Sequence, residues 1–171
     1  MQTTKWGFCG WQFLHTITFN YPEVIDEKDQ EHVERRTYTK QLFENLQYTL
    51  PCKYCRESFK QFLKELPIDG NLDCREKLTY WFYQIHNKVN AKLRKQEQEA
   101  VDAKYDELEK LVHQGKMTKK MAMKSLEKIV QTTMITEEDP PFSQVCAQYE
   151  AYRAGCGKVK SKMTTCRAPS K

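Results

Sequence analysis

Apolar residues recur along this chain at intervals of three and four, and strand-like alternation is weak. From Trp6 to Tyr21 the pattern places Trp11, Leu14, His15 and Thr18 on one face of a predicted helix. Pro22 ends it, because proline disfavours helical geometry in the residue before it. A second predicted helix covers about Asp29 to Leu50, with Val33, Leu42, Phe43 and Leu46 at helical spacing. A third starts at Cys52 and reaches Leu66, turning Phe59, Phe62, Leu63 and Leu66 inward. "PIDGNLD" reads as a loop. A fourth begins near Asp73 and carries Leu78, Trp81, Phe82, Ile85, Val89 and Leu93. Four helices with short connections predict an all-α fold, a compact four-helix bundle.

The character of the chain changes after Leu93. Residues 94 to about 135 are rich in Lys, Glu, Gln and Ala, with one stripe at Val101, Tyr105, Leu108 and Val112 and another at Met121, Leu126, Ile129 and Val130. "HQGKMT" between them supplies a glycine stop and a threonine cap. A helical hairpin follows, expected to pack on itself or its own domain. "TEEDPPF" breaks the chain, and a short fifth helix is predicted over about Ser143 to Arg153. The expected organisation is a core over 1–95, an inserted hairpin over 96–135, a fifth helix completing the core within 136–155, and a tail over 156–171.

The apolar fraction of 39% is enough for a core, and 30% of residues are charged. No apolar run approaches the ~20 residues of a membrane span. No secretory signal opens the chain, so the expected location is the cytoplasm. Of the net charge of +5, residues 151–171 supply six basic and no acidic side chains, whereas 1–93 carry 13 and 12. The basic excess is a property of the tail, read as a solvated terminus rather than a binding surface for nucleic acid or membrane. Neither is expected as a partner.

Seven cysteines are many for a reducing compartment, and the odd number leaves a thiol over. Cys52 and Cys55, three apart after Pro51, sit where a helix starts. Free N–H groups and the helix dipole stabilise a thiolate there, and Lys53 and Arg56 add positive charge. A low-pKa thiol one turn from a second thiol is the layout of a dithiol/disulfide couple. The alternatives are a structural disulfide and half of a zinc site, which would use Cys74 and a histidine as well. A thioredoxin-type domain would need a β/α alternation that is missing. In the fourth helix, His86, Asn87 and Asn90 are polar residues in a strongly apolar stretch, suited to a planar hydrogen-bonding ligand or to an exposed face. Trp11 and His15, one turn apart, are placed to stack on an aromatic ring, though such a pair is more often core.

"WGFCGWQFLHTITFNYP", then "PCKYC", then "HNKVNAKL", in that order on successive helices, resembles the Erv/ALR family of FAD-dependent sulfhydryl oxidases. The resemblance covers residues 6–95 well and the stretch around 142–155 loosely. It implies a four-helix bundle with a short fifth helix, FAD at one mouth of the bundle, and in many members a homodimer. It implies that Cys55 is the thiol next to the flavin and Cys52 the interchange thiol. Gly7, Trp11 and His15, with His86, Asn87, Asn90 and Lys95, match flavin-contacting positions. The implied reaction takes thiol-containing protein substrates and O2 to disulfides and H2O2, with no metal.

Three features depart from the cellular pattern. Cellular members read Trp-x-Cys-His before the His-Asn element, and that cysteine clamps the fifth helix through a disulfide. Here Tyr83 and Gln84 take the places of Cys and His, so Cys146 loses its implied partner. A hairpin is inserted, and Cys9 and Cys74 are not positions the family uses. Lack of the clamp resembles members from large DNA viruses. The family also implies a shuttle pair on a mobile terminus; Cys156 and Cys166, flanking nine residues with three lysines, are the candidates. A Cys146–Cys156 pairing and inert tail thiols are the alternatives.

Overall fold

The computed structural model describes residues 2–133 and 138–153 of the 171-residue chain. Six helices occur among them: α1 (Thr3–Phe19), α2 (Gln30–Thr49), α3 (Lys53–Glu65), α4 (Arg75–His113), α5 (Lys119–Thr133) and α6 (Phe142–Glu150). The one strand-like pairing among the described residues is an isolated bridge between Val24 and Cys74. The all-α class predicted from periodicity is what the chain adopts. The chain divides into two compact units, one running up to Tyr83 and resuming at Pro140, the other spanning Gln84–Asp139.

The first unit is organised around aromatic residues. Phe43 on α2 is fully buried and meets Trp81 edge-on at 5.3 Å and Phe82 at 5.1 Å between ring centroids. The Trp81 indole N–H donates to the Leu66 carbonyl at 3.0 Å, so its polar end is satisfied inside the core. Truncating a ring buried this completely costs about 3–5 kcal/mol. Only Thr39 and Phe43, one turn apart, are buried on α2. Val33 and Leu46 are half-buried and Leu42 is exposed, so the inward stripe is narrower than the apolar count predicts.

Tyr21 falls outside α1, which starts at Thr3 rather than Trp6 and stops at Phe19. Its ring is buried, and its hydroxyl donates to the Leu72 carbonyl at 2.9 Å. The Ile25 amide donates to Asp73 at 2.9 Å, and Arg75 Nε donates to the Tyr21 carbonyl at 2.7 Å. The α1–α2 and α3–α4 connections are thereby stapled to each other. α2 packs on α3, and α1 on α6.

In the second unit, α4 does not stop where the composition changes at residue 94. It continues to His113, because the following stretch holds strong helix formers and neither Gly nor Pro. Gly115 ends it at φ +68°, with Gly115 N–H on Val112 O (3.0 Å) and Lys116 N–H on Leu111 O (2.9 Å), a Schellman closure. The Thr118 hydroxyl then accepts from the Met121 amide at 3.3 Å and caps α5. Of the predicted stripes, Val101 and Leu108 are buried, while Tyr105, Met121 and Val130 are exposed.

Candidate active site

Leu50, preceding Pro51, is driven out of helical geometry (φ −54°, ψ 136°), which ends α2 and leaves Cys52 as the N-cap of α3. Cys55 is then the third helical residue. A cap side chain faces the amides of the second and third helical residues, and the third side chain reaches back toward the cap. The Cys-x-x-Cys spacing is that same spacing, written in sulfur. Cys52 Sγ makes no side-chain cap hydrogen bond, but the Cys55 thiol, followed by the nearby N–H groups of Cys55 and Tyr54, lowers the Cys52 pKa against a smaller desolvation cost. Lys53 and Arg56, expected to contribute, are engaged elsewhere: Lys53 with Glu57 at 3.9 Å, and Arg56 Nη1 with the Leu50 carbonyl at 2.6 Å. Cys52 and Cys55 are both half-buried, and the structure holds them as thiols.

On α1, His15 is buried and lies between two rings. It stacks on Tyr149 of α6 at 4.8 Å and meets Phe82 edge-on at 4.7 Å. Trp11, half-buried, lies 5.5 Å from Phe82 and 6.4 Å from His15. His15 is therefore a core residue in its own right, and Trp11 is the more accessible of the pair. Gly7 leaves open space where a Cβ would stand, whereas a Cβ on Gly10 would meet Trp6 at 3.3 Å. Tyr149 was not singled out from sequence. Its i,i+4 spacing from Val145 in a short amphipathic helix is the signal that would have found it, and both are buried.

On the second unit's part of α4, His86, Asn87 and Asn90 are half-buried. Burial pushes the His86 imidazole down to about 4, overcoming the opposite pull of Asp139, so it is neutral near pH 7. Asn90 Nδ2 donates to Asp139 Oδ1 at 2.8 Å, and Arg94 holds the same carboxylate through Nη1–Oδ1 at 3.1 Å and Nη2–Oδ2 at 2.6 Å. Lys95 does not join this cluster. It is exposed and lies 3.8 Å from Glu99. Arg94 and Asp139 are the members that sequence reasoning missed; Asp139 follows Asn90 by 49 residues, and no periodicity connects them.

Where the resemblance implied a lost clamp disulfide, Tyr83 and Cys146 both pack against Phe19, Val145 and Tyr149. The Tyr83 hydroxyl donates to the Pro140 carbonyl at 2.9 Å, and Phe142 sits 5.1 Å from Tyr80 and 5.2 Å from Tyr83. Burial, with Glu150 and Glu76 adding to it, raises the Cys146 pKa. Cys156 and Cys166 lie outside the described residues. Among the described residues no group of three His, Cys, Asp or Glu is placed to hold a metal ion, which leaves the zinc reading of Cys52, Cys55 and Cys74 without a ligand set. No described helix is long and apolar enough to cross a membrane.

The model of the Erv1 / Alr family matches residues 9–111. The FAD-linked sulfhydryl oxidase ERV1 of Arabidopsis thaliana is 32% identical over 105 residues, covering 60% of this chain and 51% of that protein. The mitochondrial FAD-linked sulfhydryl oxidase ERV1 of Saccharomyces cerevisiae is 33% identical over 89 residues, covering 52% and 43%. A putative FAD-linked sulfhydryl oxidase, 096R, of Invertebrate iridescent virus 3 is 26% identical over 90 residues, covering 53% and 57%. The chain spans about half the length of these curated relatives. With the match running from α1 through nearly all of α4, and with the cysteine pair capping α3 inside it, the chain belongs to the Erv1 / Alr family.

Proposed function

We propose that the chain is an FAD-linked sulfhydryl oxidase whose redox disulfide forms between Cys52 and Cys55. The observation that carries this reading is the cysteine pair itself: an N-cap thiol with a lowered pKa and a second thiol one turn on. A substrate thiolate attacks Cys52 Sγ of the oxidised pair, the Cys52–Cys55 bond breaks, and Cys55 leaves as a thiolate. A second substrate thiol attacks the mixed disulfide, releases the substrate disulfide, and returns Cys52 as a thiolate. The substrate has lost two electrons and the pair has gained them. The nearby N–H groups of Tyr54 and Cys55 favour the Cys52 thiolate that the second step releases.

The residues present fit a flavin nucleotide. Gly7 leaves its backbone face open, Trp11 offers a half-exposed ring, and His86 is neutral beside the Asn90 amide. Assignment of Gly7, Trp11, His15, His86, Asn87, Asn90 and Lys95 to one cofactor rests on the motif match. FAD when bound supplies the two-electron chemistry that side chains lack, taking electrons from Cys55 to O2 with formation of H2O2.

Several finer readings belong to the same proposal. The substrates are thiol-bearing proteins. The chain acts as a homodimer, a reading favoured by the exposed Phe8 and Phe13 on α1. The insertion after residue 95 is peripheral to the chemistry, the stretch 136–155 completes the core, and Cys156 and Cys166 of the 156–171 tail serve as the shuttle. The missing clamp cysteine and the viral relative support a large-DNA-virus origin, with action in the host cytoplasm or the virion. The test is direct. Purified protein is expected to be yellow and to consume O2 when given a dithiol, and a colourless protein without oxygen uptake overturns the reading.

A further inference from the structure

We infer that Asp139 is a positioning residue for the cofactor: through its carboxylate it fixes the Asn90 side-chain amide so that Asn90 Oδ1 is the end offered to the bound ligand. The inference rests on the flavin reading above and adds to it a residue that no motif assigns.

An asparagine amide has a donor end and an acceptor end of nearly equal shape, and its neighbours decide which way it points. A carboxylate only accepts. Asp139 Oδ1 lies 2.8 Å from Asn90 Nδ2, so the nitrogen must face Asp139 and the oxygen must face away. Arg94 grips the carboxylate at 3.1 and 2.6 Å through both guanidinium nitrogens, and this bidentate hold keeps Asp139 from turning aside. The Asp139 and Arg94 side chains are only 20% and 31% exposed, so water screens these bonds less than it would on an open surface. Arg94 and Asn90 bond Asp139 and hold its carboxyl below the usual carboxylate range, so it stays an acceptor well into mild acid.

The consequence is a chemical preference. With Asn90 locked, this turn of α4 presents a carbonyl acceptor beside the neutral His86 imidazole. It favours a ligand edge that carries an N–H, such as a ring imide or an exocyclic amine. With Asp139 gone, the amide is released to turn its N–H outward and oppose that same edge. Asp139 thus acts through Asn90 rather than by touching the ligand.

A double-mutant cycle on FAD binding tests this. Apoprotein is titrated with FAD, following quenching of flavin fluorescence, for the wild type, Asp139→Ala, Asn90→Ala and the double variant. Asp139→Ala is expected to weaken FAD binding on the order of tenfold, the usual scale for a residue that orients a ligating side chain. In the Asn90→Ala background the same change is expected to have no further effect. Asp139→Asn, which keeps an acceptor for the Asn90 amide, is expected to stay within about threefold of wild type, since only the charge assistance is lost. Losses that simply add would overturn the inference, because Asp139 would then act on the fold and not on Asn90. Equal weakening in Asp139→Asn and Asp139→Ala would overturn it too. Should Asp139→Ala fail to fold, as judged by helical circular dichroism of the apoprotein, Arg94→Gln replaces it in the cycle. That variant loosens the carboxylate and is expected to show the same dependence on Asn90. A wild-type chain that binds no FAD at all brings down the flavin reading and the inference together, whereas binding with an additive cycle brings down the inference alone.

Discussion

The cap of α3 and the polar face of α4 hold titratable groups shifted in the same direction for opposite reasons. At Cys52, the Cys55 thiol and the nearby helix N–H groups lower the pKa by favouring the charged form. At His86, burial lowers the pKa by disfavouring the charged form. Cys52 becomes more anionic near neutral pH, while His86 stays neutral. Cys146 completes the contrast: it is a thiol like Cys52, yet burial raises its pKa. The sign of a shift carries no chemistry until its cause is known. One region favours a charged thiolate, and the other keeps an imidazole uncharged.

Removing the thiols is the hardest break in this comparison. Cys55→Ser is expected to leave the flavin bound and the protein yellow, with dithiol-dependent O2 consumption falling to background. Cys146→Ser is expected to leave turnover unchanged. Oxygen-electrode rates for the two variants decide the matter, and substantial turnover in Cys55→Ser would show that the α3 pair is not the redox centre.

The second prediction uses the His86 shift. Its folded pKa of about 4 lies below the ordinary 6.5. A histidine depressed in this way binds its proton more readily when unfolded. Its contribution to stability is therefore fully present above about pH 6.5 and is lost progressively as pH falls toward 4. The full loss is on the order of 3 kcal/mol for a single group. Urea unfolding of the apoprotein at pH 7 and at pH 4.5, for wild type and His86→Gln, measures it. The variant is expected to show a flatter pH dependence, by about 2 kcal/mol over that interval. Equal slopes would mean that His86 is solvated and that the α4 face is not dry enough for this role.

How legible these regions were follows from the range of the interactions that make them. The layout of the cysteine pair could be read because most of what tunes it is local: Pro51 ends one helix, Cys52 stands at the cap of the next, and the nearest donors lie within three residues. The bundle helices could be read because period and caps are local too, down to the Gly115 stop and the Thr118 cap. What escaped depends on tertiary contact. Leu42 fits the apolar count but points outward, because Phe43 takes the core direction one residue on. The change of character after Leu93 does not end α4, since a change of composition among good helix formers does not end a helix. Arg94 rather than the motif's Lys95 joins the polar face, and its reason is Asp139, 45 residues away.

A third measurement sharpens the contrast between the two thiols. In the reduced apoprotein, Cys52 is expected to react with iodoacetamide several-fold faster than Cys146 at pH 7.5, because the rate follows the thiolate fraction and access. As pH rises, the Cys52 rate should level off below the ordinary thiol range, whereas Cys146 should still be climbing above it. Peptide mapping after timed quenching gives both rates from one sample. Equal rates would mean that the α3 amides do not tune Cys52.

The smallest effect concerns what replaces the clamp. Family members of the cellular type are expected to pin the fifth helix with a disulfide; here Tyr83 donates a hydrogen bond to Pro140 at the entry to α6, and Phe142 closes over Tyr80 and Tyr83. The bond is exposed, so Tyr83→Phe should cost only about 0.5–1 kcal/mol, the net worth of one such bond with the ring packing kept. Tyr83→Ala should cost more, since it also removes a ring that packs against Phe19, Val145 and Tyr149. Because rings and one hydroxyl do this work, the thermal midpoint of the Cys52→Ser/Cys55→Ser double variant should not move when a reductant is added. A clear drop on reduction would mean that some other cysteine pair, Cys146 with Cys156 above all, staples α6 in solution. Tyr83 would then be an accessory to that disulfide rather than its substitute.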